Sequence, residues 1–290
     1  MAPRSSARHA VLARRRRRAP ALSTTTAAPP ARDRLLVAVA VALVVVPVAV
    51  DLAVSGSGHS FAYLAADSFY YLVVGRNWAL HGRISFDGTH ATNGFQLLWQ
   101  AAVTALTRVT SWLGLGDRGV LVGAVLLGLL ALAVTVWLCG RALALAHGRV
   151  HPLYLLVPAG VYAMVLAPVW VLAGGLSAWG ADPREGSLPL YGTLWSDANG
   201  METSLALLAF GGLLLFVVRA VPRGRDGVFL GLLLGALVLA RLDLAFVVVG
   251  IGSTLVVAAL REGAATVRRC TMAGAAVCAA IVAGYLGWNR

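Results

Sequence analysis

The chain has 290 residues, 59% of them hydrophobic and only 12% charged, with a mean hydropathy of +0.80, which excludes an ordinary soluble domain of this size. Its 24 basic residues are all arginine and give a formal net charge of +12, a balance that in a soluble protein would point to nucleic acid. Nine of these arginines precede Leu35, so the charge belongs to a tail, and no nucleic-acid partner is expected.

Residues 1–34 combine the run Arg14 to Arg18 with Ala, Pro, Ser and Thr, a composition that cannot build a core. They read as a disordered cytoplasmic tail that sets topology through the positive-inside bias and touches anionic headgroups. Leu35 to Val54 is an apolar run interrupted by Pro47 and Asp51, long enough for a first membrane helix that runs outward and is retained. Residues 35–290 then form one membrane module. Its first extracytoplasmic loop occupies 55–118 and carries juxtamembrane helices.

Within that loop a helix from Leu64 to Leu80 sets Asp67, Tyr71, Val74 and Trp78 on one face and Phe69, Leu72, Val73 and Leu80 on the other. This predicts an amphipathic helix lying on the membrane, with Asp67 at its start and Arg76 on the apolar face, reaching lipid phosphate. Ser85-Phe86-Asp87-Gly88 and Thr92-Asn93-Gly94 read as turns. Phe95 to Leu113 carries Gln96, Gln100, Thr104, Thr107, Arg108 and Ser111 at spacings of three or four. That polar stripe predicts a juxtamembrane helix, lying in the interface or packed against the bundle and anchored by Trp99 and Trp112, in preference to a span.

Further apolar runs are Gly119 to Leu138, Leu153 to Ala173, Met201 to Val218, Val228 to Ala240, Leu244 to Leu260 and Cys270 to Trp288. With Phe95 to Leu113 kept outside, every later arginine cluster lands in the cytoplasm, and the expected architecture is an all-α polytopic bundle of about seven spans. A second extracytoplasmic loop then covers 174–200 and contains Asp182, Glu185 and Asp197. Arg241-Leu242-Asp243 sits at an outer hairpin between two short helices, where ionisable residues are costly unless paired or wet and so point to a site. A local ion pair holding the hairpin is the competing reading. Glu202 opens the span after the second loop, on the same side as Asp67, where the helix dipole also accounts for it. Cys139, Cys270 and Cys278 lack metal or disulfide spacing and read as packing residues.

The string Ala66-Asp67-Ser68-Phe69-Tyr70-Tyr71, with Gly75-Arg76-Asn77, Ser85-Phe86-Asp87-Gly88, Thr92-Asn93-Gly94-Phe95 and Leu98-Trp99, resembles the first outer loop of bacterial membrane glycosyltransferases of the GT-C type. Asn199-Gly200-Met201-Glu202-Thr203 and Leu239-Ala240-Arg241-Leu242-Asp243 resemble later motifs of the same branch. The resemblance implies an inverting enzyme of the plasma membrane. It would move a sugar from a polyprenyl-phosphate-linked donor to a cell-envelope acceptor on the extracytoplasmic side. Asp67 matches the catalytic acid of that loop and would be the general base, with Glu202 and Asp243 as accessory acids. Arg241 would bind the donor phosphate, with Arg83 second, and Tyr71, His90 and Asn93 would contact substrate. Two features depart from the pattern: Ala66 stands where a second acid often precedes Asp67, and the chain stops at Trp288-Asn289-Arg290 where relatives run on. A lipid-linked-sugar binder or translocator, and an inactive truncated relative, are therefore the alternative readings. Motifs for nucleotide, zinc or serine hydrolysis are absent, and no cofactor is indicated.

Overall fold

A computed structural model describes residues 30–158, 197–219, 226–262 and 265–288. Among them the secondary structure is all helical: α1 Ala31–Ser55, α2 Ser68–His81, α3 Leu97–Trp112, α4 Gly116–His147, α5 Thr203–Val218, α6 Asp226–Ala240, α7 Ala245–Glu262 and α8 Ala265–Trp288, with short 3-10 turns between. Three helices, α1, α4 and α8, are long and apolar enough to cross a membrane, and α5, α6 and the Leu242–Val257 stretch are apolar but shorter. At 1.5 Å per residue the 16 residues of α5 extend about 24 Å, short of the ~30 Å hydrocarbon core. The expected tail up to residue 29, the expected Leu153 to Ala173 span from residue 159 on, the loop 174–196 and the turn holding Arg223 and Arg225 lie outside the described residues, and the described start of that span is a 3-10 turn, Pro152–Leu156.

The helices alternate between two ends of the bundle. α1 starts at Ala31, inside the stretch expected as tail, because Asp33 is buried and its carboxylate accepts the Val150 amide 3.0 Å away. That bond joins the start of α1 to the end of α4. Gly128 packs on Ser204 and Ala198 while Gly211 packs on Thr135 and Leu138, so α4 and α5 run parallel. α6 returns antiparallel to α5, with Phe229 against Phe216, and α8 runs parallel to α6.

The close α6–α8 contact has a sequence cause. Gly227, Gly231 and Gly235 recur every four residues and present bare backbone to Cys270, Gly274, Val277 and Ile281. A side chain at Gly231 would place Cβ 2.5 Å from Val277 Cβ and 2.6 Å from the Gly274 carbonyl. Small residues permit such approach, which is how helices gain dispersion energy where lipid supplies no hydrophobic drive. One apolar core joins α1 to α4, and a second joins α5 to α8.

Packing sets the faces of α2 and α3, and one expected anchor is corrected. On α2 the buried residues are Ser68, Tyr71, Leu72, Val74, Gly75 and Ala79, whereas Val73 and Leu80 are exposed, because Gly75 lets α3 close onto this side through Val103 and Gln100. Arg76, on the exposed side with Val73 and Leu80, pairs with exposed Asp117 at 3.5 Å. On α3 the polar stripe divides: Gln100 and Thr107 are buried, Gln96 and Thr104 half-buried, and Arg108 and Ser111 exposed, so the helix is packed against the bundle; the hydroxyls of Thr104, Thr107 and Thr110 donate to carbonyls of their own helix. Trp99 is fully buried and is no interfacial anchor, while Trp112 is exposed.

Candidate functional site

Four segments far apart in sequence meet where α2, α3, α5 and the α6–α7 hairpin begin or end. The turn before α5 is built first. Asn199 Oδ1 accepts the Met201 amide, Ala65 donates to the Asn199 carbonyl at 2.9 Å, and Gly200 takes φ +75°. Only glycine fits there, since a Cβ would lie 2.5 Å from Leu64 and 2.9 Å from Ser68. Trp99 Nε1 then donates to the Gly200 carbonyl at 2.8 Å, locking α3 to the turn.

Glu202 follows as the N-cap residue of α5 yet makes no capping bond with its side chain. Its carboxylate, 7% exposed, turns to Arg241, whose Nε lies 3.9 Å away. Arg241 also grips exposed Asp243 with two bonds, Nε to Oδ1 at 3.1 Å and Nη2 to Oδ2 at 3.2 Å. The hairpin ion pair therefore exists, but it also reaches a buried carboxylate. These carboxylates hold Arg241 charged, above its already high ordinary value, the Asp243 bond contributing most. Tyr71 completes the group: burial first, and the Glu202 charge second, push its phenol well above the usual range. Tyr71 also binds α3 twice, taking the Gln96 amide on its hydroxyl and Gln100 Nε2 on its carbonyl. Gln96 Oε1 in turn accepts the Leu242 amide at 3.2 Å, tying α3 to the hairpin.

The assembly carries two carboxylates and one guanidinium, a net charge of −1. Among the described residues three buried side-chain polar atoms take no partner: Glu202 Oε2, Gln100 Oε1 and Ser204 Oγ. Buried polar atoms are normally bonded, so unpaired ones beside an ion pair are the expected mark of a place where water or a ligand group enters. Arg241 bridges Glu202 and Asp243, and no set of three metal-ligating side chains gathers among the described residues.

Of the residues singled out from sequence, Tyr71, Glu202, Arg241 and Asp243 come together. Asp67 lies one helical turn before Tyr71, about 6 Å along α2, exposed and without a side-chain capping bond. Arg83, His90 and Asn93 do not join the cluster and serve the 82–95 loop. Arg83 donates to the Gly88 carbonyl, and the Asn93 carbonyl accepts Tyr70. His90 Nδ1 contacts Asp87 at 2.7 Å; that bond raises the imidazole and holds Asp87 well below the usual carboxylate range. Phe86 stacks on Tyr70, pinning this loop beside the site. Sequence reasoning missed Trp99, Gln100 and Ser204 as site residues; the Gln96 and Gln100 stripe was the available sign, used there only to decide against a span. Asp197, on the turn before α5, is raised to about 6 by burial.

Comparison of the chain with protein-family models, curated proteins and solved structures gives no match.

Proposed function

We propose that this chain is a GT-C-type membrane glycosyltransferase that passes a sugar from a polyprenyl-phosphate donor to a cell-envelope acceptor outside the plasma membrane. In this reading the N-terminus is cytoplasmic, the bundle has seven spans, and the Glu202–Arg241 end faces outward. The supporting observation is that a charged cluster and an apolar groove stand on the same two helices. Glu202 and Asp243 stand at the heads of α5 and α7, and those two helices wall an apolar groove through Phe210, Leu213 and Val217 on one side and Val247, Ile251 and Leu255 on the other. By helical rise the groove opens about 6–12 Å from the charged cluster and continues along the bundle. A donor with an anionic phosphate head and an isoprenoid tail matches both halves.

The chemistry asks little of the bundle beyond position and charge. The acceptor oxygen attacks the anomeric carbon as the bond from that carbon to the phosphate oxygen breaks, and the electron pair leaves with the phosphate. The acceptor proton passes to Asp67, whose exposure at the mouth leaves room for an acceptor. Arg241 Nη1 takes no partner among the described residues and is the group to meet the departing phosphate. Glu202 and Asp243 hold that guanidinium in place.

The test is reconstitution of the full chain in liposomes with a panel of polyprenyl-phosphate-linked hexoses and pentoses and a cell-envelope acceptor fraction, reading released polyprenyl phosphate. Turnover that Asp67→Asn abolishes while donor binding persists supports the enzyme. Donor binding without turnover in the unmodified chain favours a lipid-linked-sugar binder, and neither binding nor turnover refutes both.

A further inference from the structure

The opposite end of the bundle holds a second pocket that the proposed reaction does not use. It has a volume of about 420 Å³ and lies where α4 ends and the Pro152–Leu156 turn begins. Its rim is cationic or donor-bearing, with His147, Arg149 and His151, and its walls are apolar, with Leu143, Leu153 and Val157. We propose that this pocket binds the phosphate headgroup of an anionic phospholipid, with the start of one acyl chain against the leucines.

The pocket's back wall is built in advance of any ligand. Gly140 leaves a gap on α4 that the Tyr154 ring enters, and a Cβ there would stand 3.2 Å from that ring and 2.5 Å from Val37. The Tyr154 hydroxyl donates to the Val136 carbonyl, and the ring is buried. His151 is oriented as well, because its Nδ1 accepts the Leu153 amide at 3.2 Å. That bond assigns the ring proton to Nε2, so His151 presents a donor even when neutral.

Charge selects an anion. Arg32 and Arg34 at the start of α1 are exposed and brought to this end by the Asp33–Val150 bond. Asp33 itself is buried, with its carboxylate given to the Val150 amide, and does not cancel the arginines at the surface. The apolar wall then selects an amphiphile over a free anion. Leu153 is 61% exposed beside the rim, an arrangement that inorganic phosphate would leave in water and an acyl chain would cover. Basic pockets at the ends of membrane helices are where anionic headgroups lodge. The pocket also lies at the end of the bundle from which the arginine-rich N-terminal segment departs, so both would read the same leaflet.

The experiment places the full chain in nanodiscs of phosphatidylcholine with or without phosphatidylglycerol and counts retained lipid by native mass spectrometry after release. The unmodified chain should retain phosphatidylglycerol over phosphatidylcholine. The double variant Arg149→Gln/His151→Gln should lose that preference by about tenfold or more, the usual loss when charge-assisted contacts go. Leu153→Gln, which keeps every charge, should also weaken it. Arg268→Gln, exposed on α8, should not. Melting in phosphatidylcholine alone identifies a misfolded variant; should the double variant misfold, Leu153→Gln decides in its place. Equal retention by all forms, or an equal loss in Arg268→Gln, overturns the proposal in favour of diffuse attraction. Displacement of the lipid by inorganic phosphate, with Leu153→Gln unaffected, overturns it in favour of a free-anion site.

Discussion

The Glu202–Arg241 contact makes a quantitative prediction that separates a site ion pair from a surface one. At 3.9 Å the gross attraction is about 4 kcal/mol for an effective dielectric of about 20. Arg241 is 38% exposed and shared with Asp243, so solvent screening reduces the net coupling to about 1–2 kcal/mol. The Arg241–Asp243 pair is shorter, but Asp243 is 63% exposed, and its coupling should stay below about 1 kcal/mol. Two double-mutant cycles, Glu202→Gln with Arg241→Gln and Asp243→Asn with Arg241→Gln, measure these couplings by SDS-induced unfolding in mixed micelles. Arg241→Gln alone should be the most damaging single change, because it strands a buried carboxylate whose Oε2 already lacks a partner. Restoring stability by adding Glu202→Gln is the decisive result. If the Glu202 coupling is no larger than the Asp243 coupling, the exposed hairpin pair is all that Arg241 serves and the site argument fails.

Four further outcomes are expected. Gly231→Ala forces Cβ onto Val277 and the Gly274 carbonyl and should destabilise the bundle by about 1–3 kcal/mol. Gly252→Ala on α7, where nothing lies within 4 Å, should be neutral or slightly stabilising in the same assay. Asp197, raised to about 6, binds its proton more readily when folded, so it lowers stability as pH climbs from its unfolded value toward that figure. Asp197→Asn should therefore stabilise the chain by about 1 kcal/mol at neutral pH, after discounting for partial exposure, and the gain should vanish below about pH 4. Single cysteines at positions 197 and 147, in a background without Cys139, Cys270 and Cys278, should react oppositely with an impermeant thiol reagent on intact cells, 197 labelling and 147 not. Labelling of both from outside would contradict the two-ended arrangement of α4 and α5.

Length and apolarity alone determine that this chain folds as helices, because a run such as Leu35 to Val54 must satisfy its backbone internally wherever water is absent. The same local logic located Glu202 and the Arg241-Leu242-Asp243 hairpin as ionisable residues beside apolar segments. Which faces close was not legible. Periodicity shows that α3 has a polar stripe but not which part of it is covered: threonines that bond their own helix can be buried at little cost, so Gln100 and Thr107 are enclosed with Trp99 while Arg108 and Ser111 stay exposed. On α2 a single residue without a side chain, Gly75, decides the contact face over the averaged pattern of its neighbours. Residue types could nominate Tyr71, Gln96, Glu202 and Arg241 separately, since each is odd where it stands. Their meeting depends on the Asn199-Gly200 turn and the Trp99 bond, contacts between segments that only the packed bundle brings within reach.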